Sequence, residues 1–203
     1  MKVGMIGLGK VGLNMSRLLM KQDITVWGYR RDYKKAEEAY ENNFIDGVTT
    51  GIKELVTQVK TGWGTYDHPG TGIFIMAVPA ETVEETINEL LLYCGDGDII
   101  IDCSDSNFKE SRRRAERLSK FGIQYIDCGT SGGVHGMERG YCIMVGGTST
   151  TVSACAPIFR ALSPGITSAS RTDPYGVATS AEYGWLHCGP PGAGHFVKMI
   201  HNG

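Results

Sequence analysis

The sequence predicts a doubly wound α/β domain, in which a mainly parallel sheet carries helices on both faces. Two observations support this prediction. Apolar segments of strand length alternate along the chain with segments whose apolar residues recur at helical spacing. A glycine-rich turn separates the first predicted strand from the first predicted helix, at the start of the sequence. Such a turn is typical of sheets that bind a ligand at the carboxyl ends of their strands.

The glycine-rich turn reads Gly7-Leu8-Gly9-Lys10-Val11-Gly12 and follows a buried first strand that includes Val3. Residues 24–27 give the second strand of a βαβ unit. In a dinucleotide-binding fingerprint, the first glycine makes the tight turn, the second lets the backbone approach a pyrophosphate, and the third lets helix and strand pack closely. The spacing alone also fits a plain turn, but the flanking strand and helix favour a nucleotide site in a Rossmann-type domain.

The end of the second strand selects between NAD and NADP. An acidic residue there would accept hydrogen bonds from a ribose 2′-hydroxyl, whereas an arginine would pair with a 2′-phosphate. The chain places Arg30 and Arg31 at this position, and Asp32 follows where it can cap the next helix. NADP is therefore the expected cofactor, with NAD as the alternative, since the arginines also fit solvated loop charges or stacking on the adenine.

Length and composition exclude several classes of protein. The chain has 203 residues, which suffices for one sizeable domain and part of another. A formal net charge of −2 and a pI near 6.2 give no general attraction to nucleic acid or to acidic membrane surfaces. The sequence has neither an apolar stretch of the roughly 20 residues that span a bilayer nor a signal-peptide pattern. We expect a cytoplasmic protein that holds no metal and whose six cysteines are reduced.

The alternation continues up to an irregular, polar stretch at 163–183, and a second irregular stretch covers 61–72. We place the domain boundary near residue 180, so that residues 1–180 form the NAD(P)-binding domain and residues 181–203 form a linker and the start of a helix. Strands are predicted over 73–78, 98–102, 123–128 and 141–145, and helices over 81–93, around 112–114 and over about 150–162.

Ligands of such sheets bind outside the carboxyl ends of the strands, so the loops that leave these ends are candidate sites. Their hydroxyl groups and flexible backbone could hydrogen-bond a polyol or a carboxylate, although Ser and Gly in loops are more often plain turn formers. These loops are Ala77-Val78-Pro79, Cys103-Ser104-Asp105-Ser106-Asn107 and Thr130-Ser131-Gly132-Gly133.

The last segment carries a polar stripe. Residues 189–194 are rich in Pro and Gly, and a helix then presents Lys198, His201 and Asn202 at i, i+3 and i+4 on one face. A lysine beside a histidine and an asparagine is typical of a general base with substrate-orienting partners. From spacing alone, the polar side of an ordinary amphipathic helix is the more common interpretation.

These segments resemble the decarboxylating 6-phosphogluconate dehydrogenases, within the wider β-hydroxyacid dehydrogenase group. The resemblance covers nearly the whole chain, and residues 129–134 and 138–141 look most like the shorter, bacterial-type branch. Lys198 followed by His201 and Asn202 is the discriminating feature, because relatives acting on 3-hydroxyisobutyrate and similar acids tend to carry another residue at the histidine position. The similar segments are the turn at 6–12, Ile101-Asp102 with its polar loop, Ser131-Gly132-Gly133, and 192–203.

The resemblance implies an NADP-dependent enzyme of the pentose phosphate pathway that oxidises and decarboxylates 6-phosphogluconate, a phosphosugar acid, to ribulose 5-phosphate. Lys198 matches the general base that takes the proton of the 3-hydroxyl group, and Arg31 matches an arginine that faces the adenosine 2′-phosphate. The family forms a homodimer through an all-helical second domain, of which residues 181–203 would be the start. Candidate substrate contacts are Asp105, Ser131, Gly132, Gly133, His201 and Asn202, and candidate cofactor contacts are Gly7, Leu8, Gly9, Lys10, Val11, Gly12, Arg30, Arg31, Ala77, Val78, Pro79 and Asp105.

The chain departs from the family pattern at two places. The family reads Gly-Gly-Asn-Ser where this chain has Cys103-Ser104-Asp105-Ser106, and a carboxylate only accepts hydrogen bonds and would repel a phosphosugar acid. The family also continues after the segment that ends at Gly203, with a glutamate that reprotonates the enediol and with a large helical domain. We therefore expect the cofactor-binding part of such an enzyme; a catalytically silent NADP-binding module and a dehydrogenase of another 3-hydroxyacid are the alternatives.

Overall fold

A sheet of eight strands runs through the part of the chain that the computed structural model describes, residues 1–61, 64–65, 68–171 and 173–202. A separate antiparallel pair of short strands accompanies it. In chain order the strands are β1 (Lys2–Ile6), β2 (Thr25–Tyr29), β3 (Gly47–Thr49), β4 (Gly64–Thr65), β5 (His68–Pro69), β6 (Ile73–Met76), β7 (Ile99–Asp102), β8 (Gln124–Ser131), β9 (Cys142–Gly146) and β10 (Trp185–Gly189).

Helices connect most of these strands and cover both faces of the large sheet. None of those in the described ranges combines the length and the apolar character that crossing a membrane requires. The helices are α1 (Lys10–Met20), α2 (Tyr33–Glu41), α3 (Ile52–Lys60), α4 (Val83–Leu90), α5 (Phe108–Ser119), α6 (Gly136–Arg139), α7 (Ser149–Ala154), α8 (Ala156–Leu162), α9 (Ser180–Tyr183) and α10 (Ala193–Asn202).

The strand order of the large sheet is β10-β9-β8-β7-β6-β1-β2-β3. Neighbouring strands are parallel except for β8 and β9, which are antiparallel. Because β1 lies between β2 and β6, the chain leaves β1 toward one edge of the sheet and later returns on the other side. Connections that part in this way open a crevice at the carboxyl end of β1. The predicted doubly wound, mainly parallel α/β fold is confirmed.

Apolar side chains fill both faces of the sheet, because successive residues of a strand point to opposite sides. On β1, Val3 and Met5 pack into one cluster of buried residues, together with Met15 of α1. Ile6 packs into the other cluster, together with Leu55 of α3. The strands buried in this way are held rigidly, and the loops at their carboxyl ends inherit fixed positions.

The predicted strands and helices are confirmed, with differences in their extent and in their number. The helix expected over 150–162 is divided into α7 and α8, because Pro157 lies in the first turn of α8 and lacks the N–H that would continue the preceding helix. The strand expected over 123–128 extends to Ser131, where it pairs with Cys142 of β9. The sequence did not predict α3, α6, α9, β3, β4, β5 or β10. Strand β10 joins the sheet after the boundary predicted near residue 180.

The two stretches expected to be irregular are only partly described. Residues 62, 63, 66 and 67 of the first stretch and residue 172 of the second lie outside the described residues. The described part of the second stretch contains α9, whose first turn is capped by the Thr179 side chain, with Glu182 accepting the Thr179 N–H in return.

Candidate functional site

The glycine-rich turn after β1 has the geometry that a dinucleotide fingerprint requires. Gly7 adopts a φ of +96°, and a Cβ there would lie 2.5 Å from the Ala77 carbonyl oxygen. A Cβ on Gly12 would overlap the Gly7 carbonyl oxygen, so α1 can approach the turn only because residue 12 is glycine. Gly9 immediately precedes α1, and a Cβ added there would meet no atom within 4 Å. The turn is therefore packed on its inner side and open on the side where a pyrophosphate would approach.

A cavity of about 660 Å³ opens at the carboxyl ends of β1, β6, β7 and β8. It joins segments that lie far apart in the sequence: the glycine-rich turn, the loop after β6, the loop after β7, the end of β8 and α10. Its lining includes Gly9, Lys10, Val11, Gly12, Ala77, Val78, Pro79, Asp105, Ser131, Gly132, Gly133, Lys198 and Asn202, all of which the sequence predicted as site residues.

A second cavity, of about 240 Å³, continues from the glycine-rich turn toward the end of β2. Arg30 and Arg31 line it, as do Gly7, Val78 and Pro79. The Arg30 guanidinium donates a hydrogen bond of 2.9 Å to the Leu8 carbonyl oxygen, and Arg31 forms an ion pair with Glu85. The side chain of Leu8 is buried in the core and lines neither cavity. Asp32 accepts a hydrogen bond from the Lys35 N–H as the predicted cap of α2.

The loop after β7 is held by Asp102, which is fully buried. Its carboxylate accepts the Ser104 N–H at 2.9 Å and the Tyr125 hydroxyl at 2.6 Å. Burial and the Asp102 charge raise the pKa of Tyr125 well above its ordinary value, so the hydroxyl stays a proton donor. Arg114 donates to Ser106 Oγ at 2.7 Å. This network fixes the loop and leaves Asp105 exposed at the cavity.

The end of β8 supplies the predicted substrate loop. Gly132 and Gly133 have φ values of +149° and +51°, which favour glycine at both positions. The hydroxyl of Tyr141, a buried residue, donates to the Gly133 carbonyl oxygen at 3.2 Å. The Ser131 side chain and the backbone of the two glycines therefore face the cavity as hydrogen-bonding groups.

Helix α10 lies directly on β8 and β9, which places Lys198 over the sheet. A Cβ on Gly129 would overlap the Lys198 Cβ, and one on Gly194 would overlap the Asp127 carbonyl oxygen. The fully buried Asp127 carboxylate accepts N–H groups from Gly192, at 2.5 Å, and His195, at 2.8 Å. It thereby caps the start of α10 from a neighbouring strand.

Of the three polar residues predicted on this helix, Lys198 and Asn202 reach the cavity and His201 does not. Lys198 is half-buried, and both side chains line the 660 Å³ cavity and an adjoining one of about 480 Å³. His201 is exposed and lines neither, with its Nδ1 3.3 Å from Asn202 Oδ1. Its role as a substrate contact stays a prediction.

Sequence reasoning missed the residues that position the site. Asp127 lies between Ile126 and Cys128 in a predicted strand, and a charged residue between two apolar ones is the signal that could have revealed it. His195 is 3% exposed, its Nδ1 lies 2.7 Å from Ser111 Oγ, and its Nε2 has no hydrogen-bond partner among the described residues. Nothing in the sequence indicated the contact that Gly129 makes with α10, since only the fold reveals what lies above it.

Comparison with known sequences gives a consistent result. The family model described as the NAD binding domain of 6-phosphogluconate dehydrogenase matches residues 2–170. The Bacillus subtilis (strain 168) protein named "Putative 6-phosphogluconate dehydrogenase YqeC" is 34% identical over the whole chain, which spans 59% of that relative. The decarboxylating 6-phosphogluconate dehydrogenase of Candida albicans is 34% identical over 99% of the chain, which spans 35% of that enzyme. The chain thus covers less than two thirds of these relatives.

Solved structures share the fold. A Plasmodium falciparum 6-phosphogluconate dehydrogenase superposes with a TM-score of 0.78 at 24% identity, covering 100% of this chain and 40% of the other. A Mycobacterium tuberculosis 3-hydroxyisobutyrate dehydrogenase superposes with a TM-score of 0.77 at 21% identity, covering 99% of this chain and 58% of the other. Structural similarity at sequence identities below 25% shows only that the fold is shared. The match of the family model to residues 2–170 shows the family. The chain belongs to the family of NAD-binding domains of 6-phosphogluconate dehydrogenase.

Proposed function

We propose that the chain is the cofactor-binding part of an NADP-dependent dehydrogenase that converts 6-phosphogluconate to ribulose 5-phosphate and CO2. One observation carries the proposal. The 660 Å³ cavity brings Lys198 and Asn202 together with the glycine-rich turn and the Ser131-Gly132-Gly133 loop. In this proposal Lys198 is the proton acceptor, the turn holds the dinucleotide and the loop binds a polyol acid, and their meeting in one space supports it.

The residues fit a dinucleotide. The open backbone at Gly9 and the start of α1 would hold the pyrophosphate, and the cavity beside Arg30 and Arg31 would hold the adenosine. Ala77 and Val78 would flank the nicotinamide side. When bound, the nicotinamide supplies the acceptor for a hydride from C3 of the substrate. NADP is the cofactor that the two arginines favour, and NAD is the alternative.

The side chains of this chain would position the substrate and move its proton. Lys198, as general base, takes the 3-hydroxyl proton while C3 loses its hydride, which leaves a 3-keto acid. The bond between the carboxylate and C2 then breaks, CO2 leaves, and the electron pair forms the enediol with the neighbouring carbonyl. Ser131, Gly132 and Asn202 would hydrogen-bond the substrate, and a proton returned to the enediol completes ribulose 5-phosphate.

Replacing Lys198 tests the assignment of the base. In the natural-length protein, we expect Lys198→Met to abolish 6-phosphogluconate-dependent NADPH formation, because the methionine cannot accept a proton. NADPH binding, measured by titration, should stay nearly unchanged. Lys120→Met is a matched control, because Lys120 is exposed at the end of α5 and lines neither cavity. Normal turnover of the Lys198 variant would overturn the assignment.

Asp105 favours the second candidate, a dehydrogenase of another 3-hydroxyacid. Its exposed carboxylate lines both the 660 Å³ and the 480 Å³ cavity, where it would face the substrate. A carboxylate accepts hydrogen bonds but donates none, and it repels a substrate that carries several negative charges. An acid without phosphate would be repelled less. The homodimer and the cytoplasmic location expected from the resemblance stay predictions.

A further inference from the structure

Two consecutive acidic residues at the start of α4, Glu84 and Glu85, form ion pairs on different sides of the helix. Glu84 is bound by three arginines of α5: its Oε1 lies 2.7 Å from both Arg113 Nη2 and Arg114 Nε, and its Oε2 lies 3.2 Å from Arg117 Nη1. These contacts fix the rotation of α4 about its axis. Glu85 is consequently turned away from α5, toward the end of β2.

The opposite face of α4 forms one wall of the 240 Å³ cavity. Thr82, Glu85, Thr86 and Glu89 follow the spacing i, i+3, i+4 and i+7, and all four line it. Arg30 and Arg31 line the facing wall. The cavity that would receive the adenosine therefore holds two carboxylates as well as two guanidinium groups.

Arg31 is already engaged by one of these carboxylates. Its Nη2 lies 2.5 Å from Glu85 Oε2, and the two side chains are 65% and 68% exposed. Glu85 stands in the first turn of α4, where the helix dipole favours a negative charge. Burial, followed by the nearby Glu89 charge and, more weakly, that of Glu85, raises the pKa of Tyr29, while Arg31 opposes the shift. The charges of this cavity thus act on one another.

We propose that Glu85 is a specificity-determining residue of the dinucleotide site, because it competes with a 2′-phosphate for Arg31 and so narrows the preference for NADP over NAD. The inference rests on the dinucleotide site proposed above. A 2′-phosphate must displace the Glu85 carboxylate from Arg31 and then remain near two negative charges. A 2′-hydroxyl displaces nothing and carries no charge to repel. The pair of Arg31 and Glu85 would then set the choice of cofactor, in place of the arginine alone.

The test measures the Kd of the natural-length protein for NADP and for NAD, in the wild type and in Glu85→Gln. The ratio of the two affinities isolates the 2′-phosphate, since both ligands share the pyrophosphate. We expect Glu85→Gln to shift the ratio toward NADP by about three- to tenfold, and the shift to shrink as salt is added. Glu116→Gln, an equal charge change on the exposed side of α5, should leave the ratio unchanged.

A second background separates competition from general repulsion. In Arg31→Met, where no guanidinium is left to compete for, the same Glu85→Gln change should shift the ratio by less. The inference would be overturned if the ratio of NADP affinity to NAD affinity in Glu85→Gln stayed within about twofold of the wild-type ratio. It would also be overturned if Glu116→Gln shifted this ratio by the same amount. Either result would leave the dinucleotide site intact. Failure of the wild type to bind either dinucleotide would overturn the proposed site, and this inference with it.

Discussion

Gly129 lies beneath Lys198, and the close approach of α10 to β8 depends on its missing side chain. A Cβ there would overlap the Lys198 Cβ and lie 2.9 Å from the Gly194 carbonyl oxygen. The neighbouring atoms are the Lys198 Cβ and Cγ and the Gly194 carbonyl oxygen, all of them in α10, so the contact is relieved only if the helix shifts. The proposed base is therefore positioned by a residue that bears no functional group.

Replacing this glycine should displace the helix. We expect Gly129→Ala to lower the free energy of unfolding by about 1–3 kcal/mol, because the extra methyl group overpacks the contact. Urea denaturation measures the loss. Gly95→Ala is a suitable control, since a Cβ on Gly95 meets nothing within 4 Å, and its effect should stay within about 0.5 kcal/mol. Equal stability of the two variants would contradict the packing described for α10.

At the scale of elements, α10 begins on a buried carboxylate that a different element provides. Asp127 is fully buried in β8 and accepts the N–H groups of Gly192 and His195. An ordinary cap is a residue next to its helix, as Asp32 is for α2, and it is exposed to water. Water could replace the Asp32 side chain but not that of Asp127.

The two caps should accordingly differ in their contribution to stability. Asp127→Ala would leave two buried N–H groups unpaired, and we expect it to cost about 2–5 kcal/mol of unfolding free energy. Asp32→Ala should cost about 0.5–1 kcal/mol. Thermal or urea unfolding of both variants measures the difference. Similar losses for both would show that α10 is not anchored through Asp127.

The elements themselves could largely be predicted from the sequence, because each depends on local pattern. The glycine-rich turn, the isoleucine run of β7 and the helical spacing in α4 are readable without the fold. Strand β10 was missed because its residues, Trp185 to Gly189, become a strand only by pairing with β9. The division of α7 from α8 follows from Pro157, which is a local signal in the sequence.

At the scale of the whole molecule, the sheet brings together residues that are far apart in the sequence. The predicted site residues Gly9, Ala77, Asp105, Ser131 and Lys198 all line one cavity. The carboxyl ends of parallel strands meet at one edge, so this convergence could be predicted from the fold class. The contact of Asp127 with His195 and the ion pair of Arg31 with Glu85 could not be predicted, because each depends on which groups meet across different elements.

The central claim is that this cavity serves the oxidation of a phosphosugar acid. The most direct measurement follows NADP reduction and CO2 release by the natural-length protein, with 6-phosphogluconate in one assay and 3-hydroxyisobutyrate in the other. We predict NADPH and CO2 in equal amounts with 6-phosphogluconate, and neither product with 3-hydroxyisobutyrate. Reduction of the dinucleotide by the simple hydroxyacid alone, or binding of NADP without turnover of either acid, would contradict the account.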